Sequence, residues 1–192
     1  MKSGTRTERP RGVVLAATLQ LLSALPFVLG TYVVLVHGAG AQAAAEAEVA
    51  RQGVPPSVLA EHGISFGSNV ADLPFAIAIV LILATLAVLN LNGRRVGRIL
   101  SWTFHPILFV AGVVIVPGQV WVAPLLESMF ASDPVLARVN VTALVDAAAQ
   151  AMPGWLHYAA VVKLVLTTLG SVLVVVLLAL PPARAYFRGK AL

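Results

Sequence analysis

Four long apolar runs, set apart by short polar stretches and by proline and glycine, organise this chain. The first, Val13 to Val36, has 24 residues, or about 36 Å of helix. A hydrocarbon core is about 30 Å thick, so this run is long enough to span with some tilt. Pro26 at its middle predicts a kink, because the ring removes one ladder hydrogen bond. The second run, Leu73 to Leu91, closes on Asn92-Gly93, a helix-stop pair. The third extends from Ile99 to Val116 and ends at Pro117-Gly118. The fourth extends from Trp155 to Leu180, follows Pro153-Gly154 and stops at Pro181-Pro182. Only a few residues join the second and third runs, which predicts an antiparallel hairpin.

The charges turn this pattern into a topology. Ten of the thirteen Lys and Arg residues form three clusters: Lys2, Arg6, Arg9 and Arg11; Arg94, Arg95 and Arg98; Arg184, Arg188 and Lys190. Seven of the eight acids fall in residues 37–72 and 117–154, between those clusters. Lys and Arg are held on the cytoplasmic side during insertion, so the alternation predicts four crossings with both termini in the cytoplasm. A secretory signal peptide is the rival reading of the first run, since Ala39-Gly40-Ala41-Gln42-Ala43 resembles a cleavage site. A signal h-region is about 7–15 residues, and this run is far longer. Aromatic residues support the map. Trp102 and Trp121 are 19 residues apart, about 28 Å of helix. Tyr32, Trp155 and Tyr158 fall at expected outer ends, and Tyr186 just past an inner end, where amphipathic rings concentrate.

Composition agrees. The 192 residues are 59% hydrophobic and 11% charged, against about 25% charged in soluble domains. No second composition class appears, so residues 1–192 form one membrane domain. The net charge of +5 lies beside the membrane ends, which points to anionic lipid at the cytoplasmic face and away from nucleic acid, at about 1 kcal/mol per suitably placed cation. Cysteine is absent, which excludes disulfides, thiol catalysis and Cys-based metal sites.

The outer segments carry some helix of their own. Gln42 to Arg51 has high helix propensity and extends the first helix above the membrane. Val54-Pro55-Pro56-Ser57 breaks it. Ser132-Asp133-Pro134 reads as an N-cap with proline at the first helical position, predicting a helix from Pro134 to about Met152. Its broad apolar face is expected to pack on the protein's own outer cap.

Polar groups at membrane depth are the candidates for chemistry. Lys163 lies eight residues inside Trp155, about 12 Å deep, among Ala159, Thr167 and Ser171 at helical spacing. It reads either as a snorkelling lysine or as the binding group for an anion, with Asp72 or Glu127 as acidic partner. His105, on the third run, and Gln20, on the first, have similar depths. With Thr85, Thr167 and Thr168 they predict one polar layer drawing on all four helices. That layer reads as interhelical hydrogen bonding, worth about 0.6 kcal/mol per contact; a proton path or polar substrate site is the sharper alternative. His37, His62 and His157 lie near the outer face without the i, i+4 spacing of a zinc site, and no metal or cofactor is expected. Asn140-Val141-Thr142 matches a glycosylation sequon by chance. There is no phosphate-binding glycine loop, Gly-x-Ser-x-Gly or His-Glu-x-x-His pattern, and no carboxylate inside a span.

The segment from Leu86 to Trp102, with its apolar helix, Asn92-Gly93-Arg94-Arg95 turn and Arg98-Ile99-Leu100-Ser101-Trp102 helix start, resembles the central hairpin of uncharacterised actinobacterial four-span membrane proteins. The resemblance implies the four-span layout and no activity. Its members often place cysteines early in the third helix, and this chain has none. The expectation is an all-α, integral membrane four-helix bundle with small helical extracytoplasmic segments in a bacterial inner membrane. It is expected to be no enzyme but an accessory or scaffold subunit of an envelope assembly, with a protein partner or self-association in the membrane. An oligomeric small-solute or ion transporter or channel is the alternative.

Overall fold

The computed structural model describes residues 9–66 and 73–189. Every long element is helical: α1 (Arg11–Arg51), α2 (Ser57–Glu61), α3 (Leu73–Leu91), α4 (Arg95–Val114), α5 (Pro117–Val120), α6 (Val122–Phe130), α7 (Val141–Gln150), α8 (Leu156–Ala179) and α9 (Pro181–Gly189). Four of them, α1, α3, α4 and α8, are long and apolar enough to cross a membrane. They form a ring in which α1 touches α3, α3 touches α4, α4 touches α8 and α8 returns to α1. The protein is an all-α integral membrane bundle, and a smaller helical cap sits on the end opposite the arginine-bearing hairpin.

The hairpin turns on a glycine in the left-handed conformation. Gly93 has φ +68°, its N–H donates to Asn90 O and the Arg94 N–H to Leu89 O, both at 3.0 Å. These two bonds are the Schellman arrangement that ends a helix, and positive φ favours glycine there. Chain return then brings Gly97 against α3 so closely that a Cβ would lie 2.5 Å from Leu89 Cβ. At this basic end α9 lays Ala183, Tyr186 and Phe187 on Val13, Ala16, Val174 and Leu178. The Tyr186 hydroxyl donates to Leu91 O at 2.8 Å, and the Arg98 guanidinium lies 4.6 Å from the Trp102 ring centre.

The cap grows from the far half of α1. This helix continues unbroken through Pro26 for 41 residues, about 60 Å, and buries Ala41, Ala45 and Val49 at four-residue spacing. Small side chains on that stripe admit α7, whose Val141, Leu144 and Ala148 complete one core with Leu59, Leu126, Phe130 and Leu136. Thus the apolar face of residues 134–152 packs on the protein's own cap.

Several boundaries differ from the sequence expectation. The third span begins at Arg95 and stops at Val114, and the turn after it carries α5 and α6. The helix expected from Pro134 to Met152 is interrupted. Asp133 does cap its start, accepting from the Val135 and Leu136 N–H groups at 2.8 and 3.0 Å. Only a 3₁₀ turn, Leu136–Arg138, follows. Val139 is extended, and Asn140 caps a new helix by accepting from Ala143 N–H at 3.0 Å. A short polar side chain that satisfies backbone N–H groups locally favours such a restart. α8 contains a wide π-turn over Leu166–Gly170. The Thr167 hydroxyl donates to Lys163 O at 2.7 Å and the Thr168 hydroxyl to Leu164 O at 2.6 Å, the back-bonding that bends helices.

Candidate functional site

The bundle centre is polar. Gln20, Ser23, Asn90, Ser101, His105, Thr167 and Ser171 are all fully buried, and they come from all four spanning helices. Their hydrogen bonds run in one direction. The Asn90 amide donates to Gln20 Oε1 at 3.1 Å and to Ser101 Oγ at 2.8 Å. Gln20 Nε2 donates to Ser101 Oγ at 3.0 Å and faces His105 Nε2 at 3.1 Å. Because an amide nitrogen only donates, His105 Nε2 accepts, and Nδ1–H then donates to Ser171 Oγ at 3.2 Å. The ring is therefore in its neutral, Nδ1-protonated form, a tautomer assigned by the network. Ser101 Oγ–H donates to Gly97 O at 2.7 Å. Donors aligned head to tail polarise one another. Among the described residues Asn90 Oδ1 and Ser23 Oγ find no partner.

Close helix contacts hold this centre. A Cβ on Gly112 would stand 2.6 Å from Thr167 Oγ1, so α4 and α8 cross with no room for a methyl group. Gly97, Ser101, His105, Leu108 and Gly112 form one buried stripe at three- and four-residue spacing.

The second polar feature is Lys163, at the other end of the bundle. Its ammonium donates to Gln119 Oε1 at 3.0 Å and lies 4.4 Å from the Phe27 ring centre, a cation–π distance. It stands in the wall of an open cavity of about 920 Å³ between the span ends and the cap. The upper size of small-molecule sites is roughly 1,000 Å³. Phe27, Trp121, Leu125, Met129 and Met152 provide much of its apolar lining. Among the described residues no Asp or Glu lines it, while His62 and His157 do.

The structure thus brings Gln20 and His105 into direct contact and places Lys163 elsewhere. Asp72 lies outside the described residues. Glu127 is exposed, and among the described residues Lys163 makes no ion pair; Gln119 is its partner. Thr85 is exposed and does not join the polar centre, because α3 turns Leu83, Leu86, Ala87 and Asn90 inward instead. Asn90 was legible only as one residue near the end of the second run and Ser101 only as part of a helix start; the i, i+4 spacing of Ser101 to His105 was the available signal. Gln119 had none, being defined by the bend after α4. In the cap, His62 is held between Val58 O at 2.9 Å and Asp133 Oδ2 at 3.0 Å. Its pKa is raised, first by the Val58 carbonyl and then by Asp133. Among the described residues no group of three His, Cys, Asp or Glu is placed to hold a metal ion. No protein-family model, no curated protein and no solved structure matches the chain.

Proposed function

We propose that the chain is a multi-pass protein of a bacterial inner membrane with both termini in the cytoplasm, acting as an accessory or scaffold subunit of a cell-envelope assembly. The observation that supports this reading most is the state of the bundle centre. The polar groups that a lone transporter would turn toward a solute are bonded to one another, and Gly97 and Gly112 bring the helices into contact around them. A core so used fixes helix positions, which suits a protein that works by presenting a surface. All four spans offer outward apolar faces within the membrane, those of α3 and α4 among the most exposed: Phe75 is 77% and Val114 70% exposed. The charge alternation supports the orientation, and the resemblance of residues 86–102 to four-span actinobacterial proteins agrees with it.

The test has two parts. A photo-reactive side chain at position 75 or 114, followed by purification in mild detergent, is expected to give one stoichiometric crosslinked partner. A homo-oligomer that dissipates an ion gradient in vesicles would replace this reading with the transporter alternative. For orientation, single cysteines in 37–66 and 117–154 are expected to react with an impermeant thiol reagent on intact cells, while Gly93→Cys stays unlabelled. The native lack of cysteine keeps the background clean.

A further inference from the structure

We propose that the cavity at Lys163 binds an anionic membrane phospholipid, with the headgroup on the lysine and an acyl chain sheltered beneath the cap. The inference stands apart from the accessory-subunit reading. The position of the amine is the first support. Lys163 starts about 12 Å inside Trp155 along α8, but helical side chains lean toward the helix N-terminus, which here is the cap end. Its ammonium therefore reaches up to Gln119, beyond the end of α4, toward the outer end of the spans. One of its three N–H donors is taken by Gln119, leaving two.

Charge and shape decide the kind of ligand. With the Lys163 ammonium in its wall, the cavity favours an anion. A small hydrated anion would leave most of the apolar wall unused. An acyl chain matches it, since Phe27 and Ala160 line the membrane end while Ile64, Phe66 and Met152 line the cap end. Gly30 contributes to the opening: a Cβ there would meet nothing within 4 Å. Part of the wall belongs to α1, α3 and α8, spans whose other faces meet lipid, which gives a ligand from the bilayer leaflet on the cap side a route in.

The test uses Trp121, which lines the cavity, as reporter. In the full chain carrying Trp102→Phe and Trp155→Phe, in neutral detergent, fluorescence is followed while phosphatidylglycerol or phosphatidylcholine with brominated acyl chains is added. Phosphatidylglycerol is expected to quench saturably, and phosphatidylcholine to need at least tenfold more. Lys163→Arg should keep that preference and Lys163→Met should abolish it. Gly30→Leu, which leaves the lysine in place and fills the cavity mouth, should weaken quenching by both lipids, with helicity by circular dichroism unchanged. Equal quenching by the two lipids in the parent, or an undiminished preference in a folded Lys163→Met variant, would overturn the proposal. So would a dimer that forms through this face and excludes both lipids.

Discussion

The cap buries apolar side chains alone, whereas the bundle buries polar ones beside its apolar clusters. Among the described residues no polar side chain is buried in the cap, and the ion pairs Glu48–Arg51 and His62–Asp133 lie at its surface. In the bundle many large apolar side chains point outward, buried ones such as Leu83, Leu108, Val174 and Leu178 form two smaller clusters, and all seven buried polar residues of the described chain lie among them. The difference follows from the surrounding solvent. Water drives apolar surface together, which suffices for the cap. Lipid tails are as apolar as leucine and give no such drive, so the spans are held by close contact of small residues and by hydrogen bonds. One chain thus solves the packing problem twice, by opposite means.

The comparison is broken most severely in the cap. Phe130→Ala is expected to remove about 3–5 kcal/mol from the cap core. Hydrogen exchange should show α6 and α7 opening while the bundle amides stay protected; equal loosening of both regions would refute separate cores. Next comes the bundle contact. Gly112→Ala should cost about 1–3 kcal/mol by overpacking against Thr167, measured as a lower melting temperature in detergent. Gly40→Ala, whose new Cβ meets nothing within 4 Å, should be neutral or slightly stabilising by helix propensity.

A smaller effect sharpens the bundle side. A double-mutant cycle on Gln20→Leu and His105→Leu is expected to give a coupling of about 0.6 kcal/mol and at most about 1.7. A coupling indistinguishable from zero would mean the polar centre holds nothing together. Lys163→Met should change stability by no more than about 1 kcal/mol, as surface substitutions do. A loss of about 3–5 kcal/mol, restored by Asp72→Asn, would instead reveal an acid paired with Lys163.

The smallest effect concerns pH in the cap. The His62 pKa is raised, chiefly by the Val58 carbonyl, and that of Asp133 is lowered, chiefly by the Leu136 and Val135 N–H groups. The histidine's contribution is fully present below its ordinary value of 6.5 and fades as pH rises through its raised value. The carboxylate's is present above its ordinary 3.8 and fades as pH falls through its lowered value. His62 is exposed and Asp133 only half-buried, so the shift in cap melting is expected to be slight: the pair holds best between those two pH values, and His62→Gln should flatten the profile. An unchanged profile in that variant would remove the pair from the account.

The spans were legible because lipid imposes its thickness on sequence directly: uninterrupted apolar length and clustered arginines need no partner to be recognised. Gln20 and His105 were legible for the same reason, as polar groups stranded among leucines. What escaped was everything fixed by the facing element. Asn90 reads as one more residue of the second run until α4 folds back on it, and Thr85 reads as inward until α3 is rotated by its neighbours. The break at Val139 and Asn140 was hidden because the segment's apolar spacing continues across it, whereas the cap hydrogen bond is local. Gln119 needed the bend after α4 to reach Lys163.

The wide turn at Leu166–Gly170 gives the fourth span a property that its length alone conceals. One residue beyond the regular count delays the helix by about 100°, so the two halves of α8 are aimed independently. The half before the turn aims Lys163 at the cavity; the half after it aims Ser171 at His105 and Val174 and Leu178 at α1 and α9. A membrane tolerates a helix one residue shorter, since 1.5 Å is easily absorbed by tilt. This helix does not. Losing a single residue there would leave the crossing intact and swing the inner half through more than a quarter turn, carrying Ser171 off the histidine and the anchorage of the basic tail helix with it. The alignment of this span is set in angle rather than in depth.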